Sequence, residues 1–498
     1  MKVNGFVTVF QHQKAHWVAR ITCTLLIFCV ATAIASHAQR HDVLVRFVNP
    51  NGGSPTSLVQ GPDGNFYGVG ITGGHNAGGS FFKVTPAGTV TRLYVFCPVK
   101  PCSNGKTPNG LILASDGNFY GTTHNGGELH EGPGPGTVFR MTPDGVITTL
   151  HIFCSAPPTC TDGFYPEGDL AQGSDGALYG TTSIGGTHYG GTIFKITLSG
   201  EFTSLYNFCS QPSCSDGVTP AAGLVEASTG VFYGTTSRGG ANPCDPYGGC
   251  GTLFRFTTSG KLTTLYSFCA QPSCADGMFP ATGLLHAADG KIYGATSSGG
   301  LIDGTCTTGC GVTFRISPSG GPPTLLHAFT SSEGSQVQRL IQATDASVYG
   351  TARLGGSSNL GTLFKMDSAG SVTVLFNFCN GAACHFSTNP VGLMQSTNGL
   401  FYGTTTGPGN GTVFTFGFPP FITMSPSSGP VGTMVKIYGT DLSSATEVTF
   451  NGGASATFTI VSPGEIDASV PAGALYGPVK VTTPAATLVS NVVFRVTP

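Results

Sequence analysis

The sequence predicts an all-β protein: a seven-bladed β-propeller closed by the N-terminal strand, followed by a small β-sandwich, which a resemblance given below makes Ig-like. Three observations carry this. Tyr-Gly recurs seven times, at Tyr67-Gly68, Tyr120-Gly121, Tyr179-Gly180, Tyr233-Gly234, Tyr293-Gly294, Tyr349-Gly350 and Tyr402-Gly403, with steps between 53 and 60 residues. Repeats of this length indicate a stacked array or a closed ring rather than one ordinary domain. Each copy holds four short segments rich in β-branched and aromatic residues, bounded by turn residues, which is the content of one propeller blade. Finally, the array has one strand too many at its start and one too few at its end.

The second copy shows the elements in order. Gly110-Leu111-Ile112-Leu113 leads to Asp116-Gly117, then Asn118-Phe119-Tyr120-Gly121-Thr122-Thr123. A loop through Gly126-Gly127 precedes Gly136-Thr137-Val138-Phe139-Arg140-Met141, a turn at Pro143-Asp144-Gly145, and Val146-Ile147-Thr148-Thr149-Leu150-His151-Ile152-Phe153. Asp-Gly between such runs favours a tight hairpin, because glycine takes positive φ without steric cost; proline presets φ at the second turn. The seventh copy has no Leu-x-x-Phe strand after Phe414, whereas Leu44-Val45-Arg46-Phe47 matches Leu93-Tyr94-Val95-Phe96. Residues 42–48 are therefore expected to complete the last blade as its outer strand, removing two exposed strand edges. The alternative is an open solenoid with frayed ends.

Residues 1–38 read as a secretory signal: a basic segment ending at Arg20, an apolar stretch from Ile21 to Ala35, and Ser36-His37-Ala38 as a small-residue cleavage site. The apolar run is short for a membrane span, and no other span is read in the mature chain. The propeller is assigned to residues 39–418. From Pro419-Pro420 the pattern changes to Ser425-Pro426-Ser427-Ser428-Gly429-Pro430-Val431-Gly432-Thr433, then Val448-Thr449-Phe450-Asn451-Gly452. Residues 419–498 are read as a cysteine-free sandwich held by packing alone.

Outside the signal, the cysteines fall in close pairs: Cys97/Cys102, Cys154/Cys160, Cys209/Cys214, Cys244/Cys250, Cys269/Cys274, Cys306/Cys310 and Cys379/Cys384. Five pairs occupy one repeat position, after the Phe strand; the equivalent connections after Phe47 and Phe329 lack both members. Joint loss is what a bonded pair predicts, so local disulfides in an oxidising compartment are the simplest reading, although spacing does not prove connectivity. The rival reading is metal binding. It requires four converging ligands, and the pairs are expected to lie on different blades, so no metal and no cofactor is assigned.

Charged residues make up only 9 % and the net charge is -2. Nothing here offers a basic field for nucleic acid. Gly-x-Ser-x-Gly and His-Glu-x-x-His are absent, and Gly105-Lys106-Thr107 lacks both the leading glycine and the helix of a phosphate loop.

The repeat core Asp-Gly-x-x-Tyr-Gly-Thr-Thr…Gly-Gly…Gly-Thr-x-Phe-Lys/Arg, over residues 42–416, resembles the GloVer-type tandem repeat of secreted bacterial proteins. Residues 421–498, with Pro-x-x-Gly-Pro-x-Gly-Thr, the Gly439 turn and Phe450-Asn451-Gly452, resemble the IPT/TIG immunoglobulin-like domain. The second resemblance implies an interaction or spacer module; the first implies no defined activity.

Alternate connections of a four-stranded blade emerge on one face, so the Gly-Gly loops and the cysteine loops are expected together, opposite the tight turns. Variable loops on a rigid scaffold are where binding resides. The candidate binding residues on this face are Glu128, His130 and Glu131 in the second copy, His188 and Tyr189 in the third, Asp245 and Tyr247 in the fourth, and Asp303 in the fifth. Drift of unselected loops is the plain alternative. Asp162, Asp216 and Asp276 recur at one repeat position, which suits a turn role. No catalytic residue is assigned.

The expectation is a secreted protein (extracellular, periplasmic or at the cell surface) that binds a glycan, cell-wall polymer or surface protein without catalysis. The alternative is a polysaccharide hydrolase or lyase in which Glu128 or Glu131 converges with Asp245 or Asp303 to a separation of roughly 5–10 Å.

Overall fold

Each of the first six repeats folds into one antiparallel sheet with four strand positions in chain order from the inside out, the inner position of the third being split into Phe164–Pro166 and Ala171–Gln172. The computed structural model describes residues 41–497, apart from 49–51, 128–132, 155–156, 246–247, 380–386, 418–421, 440–441, 485–486 and the single positions 281, 398, 408 and 463. Blade 1 runs from Gly53–Gln60 through Phe66–Thr72 and Ser80–Val84 to Val90–Val95. Blade 2 begins at Lys106, blade 3 at Phe164, blade 4 at Val225, blade 5 at Leu285, blade 6 at Ser335 and blade 7 at Pro390. The last blade contributes Pro390–Gln395, Phe401–Thr405 and Thr412–Phe416, and its outer strand is His41–Arg46. That strand pairs antiparallel with Thr412–Phe416, placing Asp42 opposite Thr415 and Val45 opposite Val413. The open-solenoid alternative is thereby excluded.

The repeat motif is explained residue by residue. Each Tyr-Gly glycine lies opposite a third-strand phenylalanine, as in Gly68–Phe82, Gly180–Phe194 and Gly403–Phe414. The ring covers the glycine: a Cβ on Gly180 would stand 2.5 Å from Phe194 Cζ. The tyrosine hydroxyl donates to the aspartate of the preceding hairpin, with Tyr67–Asp63 at 2.9 Å, Tyr120–Asp116 at 2.8 Å and Tyr179–Asp175 at 2.8 Å. Burial, followed by the bonded Asp116 carboxylate, pushes the Tyr120 hydroxyl up to about 12. The basic residue after Phe crosses to the same aspartate, with Lys195 Nζ 2.8 Å from Asp175 and Lys365 Nζ 2.9 Å from Asp345. The second threonine shares a buried hydrogen bond with that of Gly-Thr, at 2.9 Å for Thr123 and Thr137 and 2.8 Å for Thr236 and Thr252.

Between blades, the phenylalanine ending each outer strand meets the third-strand phenylalanine of the next blade. Centroid distances are 5.2 Å for Phe96–Phe139, 5.2 Å for Phe153–Phe194, 5.3 Å for Phe208–Phe254, 5.2 Å for Phe268–Phe314, 5.1 Å for Phe329–Phe364 and 5.1 Å for Phe378–Phe414. Phe47, just beyond the N-terminal strand, supplies the seventh pair with Phe82 at 4.8 Å. The hydrophobic core is consequently a set of clusters, each spanning two blades.

Polar locks add to this. Glutamine at the inner-strand end accepts the turn N–H of the preceding blade: Ser115 N to Gln172 at 2.9 Å, Ala288 N to Gln342 at 2.7 Å and Thr344 N to Gln395 at 3.0 Å. Gln60 closes the circle by accepting from Thr397 N at 2.9 Å. Between blades 1 and 2 the pair becomes Leu113 and Pro62; proline has no N–H to offer, so an acceptor there would go unused.

The residues that follow, Ile422–Val496, form a separate sandwich core around Ile422, Val435, Ile437, Val448, Phe450, Ile466, Val481 and Phe494. No helix among the described residues is long and apolar enough to cross a membrane.

Deleting residues 42–48 removes the seventh aromatic pair and exposes the edge of Thr412–Phe416, so the whole ring should melt several degrees lower in a calorimetric scan; an unchanged transition would refute strand closure. His41 gives a pH handle on the same seam. Its ring stacks on Phe376 at 4.1 Å, and burial, only partly offset by Asp42, lowers its pKa to about 4. A histidine depressed in the folded state favours folding above its unfolded pKa of about 6.5, and that contribution fades as pH falls towards the folded value. His41→Phe should flatten the loss of stability between pH 6.5 and 4, measured by melting at stepped pH.

Candidate functional site

The long connections do share a face. In blades 2 to 6 the Gly-Gly loop donates to the carbonyl of the connection that enters the blade: Gly127 N to Cys102 at 3.0 Å, Gly186 N to Cys160 at 2.9 Å, Gly240 N to Cys214 at 3.0 Å, Gly300 N to Cys274 at 2.9 Å and Gly356 N to Ser331 at 2.9 Å. Just inside these loops, every blade begins its inner strand with one residue in the left-handed region: Ser54, Thr107, Tyr165, Thr219, Phe279, Gln336 and Asn389, all with φ between 50 and 59°. Their N–H groups bond to the loop of the preceding blade, as in Thr107 to Gly78 at 2.8 Å and Thr219 to Gly190 at 2.9 Å; Ser54 N to Asn410 O at 2.6 Å spans the closure. The backbone is thus repeated while the side chains vary, giving six kinds of side chain at seven positions on one fixed circle.

The cysteine loops are capped as the turn reading expects. Asp216 accepts from Ser210 N, Gln211 N and Tyr206 Oη; Asp276 accepts from Ala270 N, Gln271 N and Tyr266 Oη. Asp162 lies 3.1 Å from His151 Nε2. The cysteine-free connection after Phe329 uses Glu333 instead, which accepts from Thr330 N and Thr330 Oγ1 and lies 3.0 Å from His327 Nε2. Burial raises the Glu333 pKa, but these bonds outweigh it and hold the carboxyl below its usual range.

Six of the cysteine pairs are disulfides: Cys97–Cys102, Cys154–Cys160, Cys209–Cys214, Cys244–Cys250, Cys269–Cys274 and Cys306–Cys310. Cys379 is also disulfide-bonded; Cys384 lies outside the described residues. One expectation is corrected. The pairs are not all remote from each other, because Cys244, Cys250, Cys269 and Cys274 bring their four Sγ atoms within 4.8 Å. The reason is the shared face: the loop after the second strand of blade 4 and the connection after its outer strand emerge side by side. These four are the described residues whose side chains could together hold a metal ion.

Of the candidate binding residues, Glu128, His130, Glu131 and Tyr247 lie outside the described residues. Asp245 ends a short strand, Pro243–Asp245, that pairs with Gly248–Gly249. His188 and Tyr189 form an exposed tip, with Thr187 Oγ1 3.0 Å from His188 Nδ1 and Tyr189 64 % exposed. Asp303 is engaged structurally, accepting from Ser331 N and Ser331 Oγ, each at 3.0 Å.

Two features escaped the sequence reading. The first crosses the central channel: Arg339 of blade 6 pairs with Asp169 of blade 3, Nη1 to Oδ2 at 2.5 Å. The corresponding inner-strand position is Ser57, Gly110, Gly223, Gly283 or Gly392 in the other blades. A Cβ on Gly110 would collide with the Asp169 carboxylate, so glycine makes room for the bridge. Aligning the copies would have exposed this signal, two charges where the others have almost nothing. Nearby, His124 stacks on Tyr165 at 4.4 Å and lies 3.7 Å from Glu167. Burial lowers the His124 pKa, partly countered by Glu167.

The second is a polar cleft of about 130 Å³ between the loops of blades 5 and 6. Ser298, Thr305, Thr307, Thr308, Ser335 and Gln336 contribute to its lining, and no charged side chain does. The Cys306–Cys310 disulfide and the Asp303–Ser331 bonds stiffen its wall.

The model of the Gloeobacter/Verrucomicrobia repeat matches residues 31–245 and 213–416. The chain belongs to this family. Beyond the Gloeobacter/Verrucomicrobia repeats, residues 419–496 match the IPT/TIG domain. No curated protein matches. Among solved structures, a catalytically inactive virginiamycin B lyase from Staphylococcus aureus with quinupristin superposes with a TM-score of 0.51 at 15 % identity, covering 76 % of this chain and all of that one. A fungal alcohol oxidase in complex with copper gives 0.52 at 13 % identity, covering 92 % and 99 %. At such identities these structures share the fold with the Gloeobacter/Verrucomicrobia repeat protein and nothing more is transferred.

The Arg339–Asp169 bridge is half exposed, so its strength should be modest. A double-mutant cycle with Arg339→Met and Asp169→Asn should give a coupling of about 0.2–1 kcal/mol in denaturant titrations; a coupling of zero would show that the bridge adds nothing to stability.

Proposed function

We propose that this protein is a secreted, non-catalytic binding protein whose loop face holds a neutral glycan or cell-wall polymer. The observation that carries this reading is the uncharged cleft between blades 5 and 6. Its hydroxyl and amide groups converge on a concave space suited in size to one sugar ring. Sugar hydroxyls exchange water for these partners at a net gain of about 0.5–1.5 kcal/mol per bond. A wall already stiffened by a disulfide loses little freedom when it binds. The lack of a lining charge fits a neutral sugar rather than a phosphate or a uronate.

Two further points support it. The near-invariant residues of the repeat are all engaged in holding blades together, so variation is left to the loop face. Asp303, Asp216 and Asp276 on that face are committed, Asp303 to Ser331 and the other two to cysteine-loop amides, which suits a binding role. Local disulfides suit an oxidising, extracytoplasmic compartment. The IPT/TIG module is assigned a spacing or docking role.

Isothermal titration of the mature protein against a panel of neutral polysaccharides tests the reading. Replacing Thr307 and Gln336 together by alanine should weaken binding about tenfold, while Lys261→Ala on the opposite face should change nothing. A panel without binders, or affinity indifferent to the cleft substitutions, would overturn it.

A further inference from the structure

Blade 4 differs from every other described blade in carrying cysteines on both of its loop-face connections. We propose that Cys244, Cys250, Cys269 and Cys274, when reduced, form a tetrathiolate site for zinc. In the structure they are joined as Cys244–Cys250 and Cys269–Cys274. Zinc–thiolate bonds of about 2.3 Å set tetrahedral sulfurs about 3.8 Å apart. The four Sγ atoms already lie within 4.8 Å of one another, so opening each disulfide while drawing the pairs together encloses a single ion. Thiolates are soft ligands and select zinc over magnesium or calcium.

The presenting backbone does not depend on the sulfur–sulfur bonds. On one side, Gly251 N donates to Gly239 O at 2.9 Å and Cys250 N to Asn242 O at 3.2 Å. Asn242 Nδ2 anchors this loop to Ser267 O and Phe268 O at 2.9 and 3.0 Å. On the other side, Cys274 N donates to Gln271 O at 3.0 Å, Cys269 N to Gly277 O at 3.0 Å, and the Asp276 carboxylate caps Ala270 N and Gln271 N. Met278 Sδ, 3.7 Å from Cys244 Sγ, packs beside the cluster, and Cys250 is buried. Blade 5 shows the contrast: Cys306–Cys310 faces a connection without cysteine, where Asp303 and Ser331 make the link instead.

The chemistry balances with a dithiol as reductant. Each protein disulfide takes two electrons and two protons from one dithiol, which leaves as its own disulfide. Four thiols result, and one divalent ion displaces their four protons as it forms four metal–sulfur bonds. The same four sulfurs thus have two closed states, a disulfide pair and a metal centre.

The test uses the whole mature chain, reduced with dithiothreitol, freed of reductant without oxygen, and titrated with cobalt(II) as the probe. The expected result is a stoichiometric tetrathiolate spectrum, with ligand-field bands in the red and a near-ultraviolet charge-transfer band, erased by zinc. The double variant Cys244→Ser/Cys250→Ser should lose this spectrum and Cys97→Ser/Cys102→Ser should keep it. Circular dichroism of the reduced protein should remain that of the oxidised one. A reduced chain that unfolds, one that stays folded but gives no tetrathiolate spectrum, or a Cys244→Ser/Cys250→Ser variant that retains it, overturns the proposal.

Discussion

The ring depends on one contact repeated around a circle: a phenylalanine at the end of each outer strand meeting a third-strand phenylalanine of the next blade. Its spacing holds at 5.1 to 5.3 Å for the six pairs within the array, and Phe47 closes it at 4.8 Å with Phe82. A four-stranded sheet this small cannot bury both of its faces alone. Each blade is stable because its neighbours cover it, so the unit of packing is the interface. An array ending one strand short would leave one interface without its aromatic partner and two edges unpaired. Joining the ends therefore completes the last sheet and the last interface at once.

This packing uses most of what the copies have in common. The tyrosine, its aspartate and the basic residue opposite form one hydrogen-bonded unit in blades that carry all three, as in Asp175, Tyr179 and Lys195, and paired threonines add a second link, as in Thr123 and Thr137. The glycine beneath phenylalanine keeps two strands at contact distance. Conserved chemistry inside the repeat is thus structural, and individuality lies in the loops. That division of labour makes the loop face the natural place for recognition, and it explains how one backbone circle can display serine, threonine, tyrosine, phenylalanine, glutamine and asparagine at equivalent left-handed positions.

Much of the fold was legible beforehand. The complementary excess and deficit at the two ends named the closing strand, and paired loss of cysteines named local disulfides. The shared face of the long connections followed from counting strands. The candidate site was far less legible. Asp303, read as a candidate binding residue, accepts hydrogen bonds from Ser331, a contact no local pattern announces. Arg339 and Asp169 are 170 residues apart and meet across the channel. The cysteine cluster of blade 4 was missed because the pairs were expected on different blades, whereas two of them sit on the two loop-face connections of blade 4.

Strand number, blade content and turn positions were determined by the sequence itself, because they rest on period-two patterning, turn chemistry and pairing between neighbours in the chain; the closure was readable too, because the spare strand at one end matches the strand missing at the other. The channel bridge, the hydroxyl cleft and the convergence of four sulfurs were decided only in three dimensions. They depend on how far each sheet twists and on which loops then face each other, and those quantities are set by the packed ring as a whole rather than by any local stretch of residues.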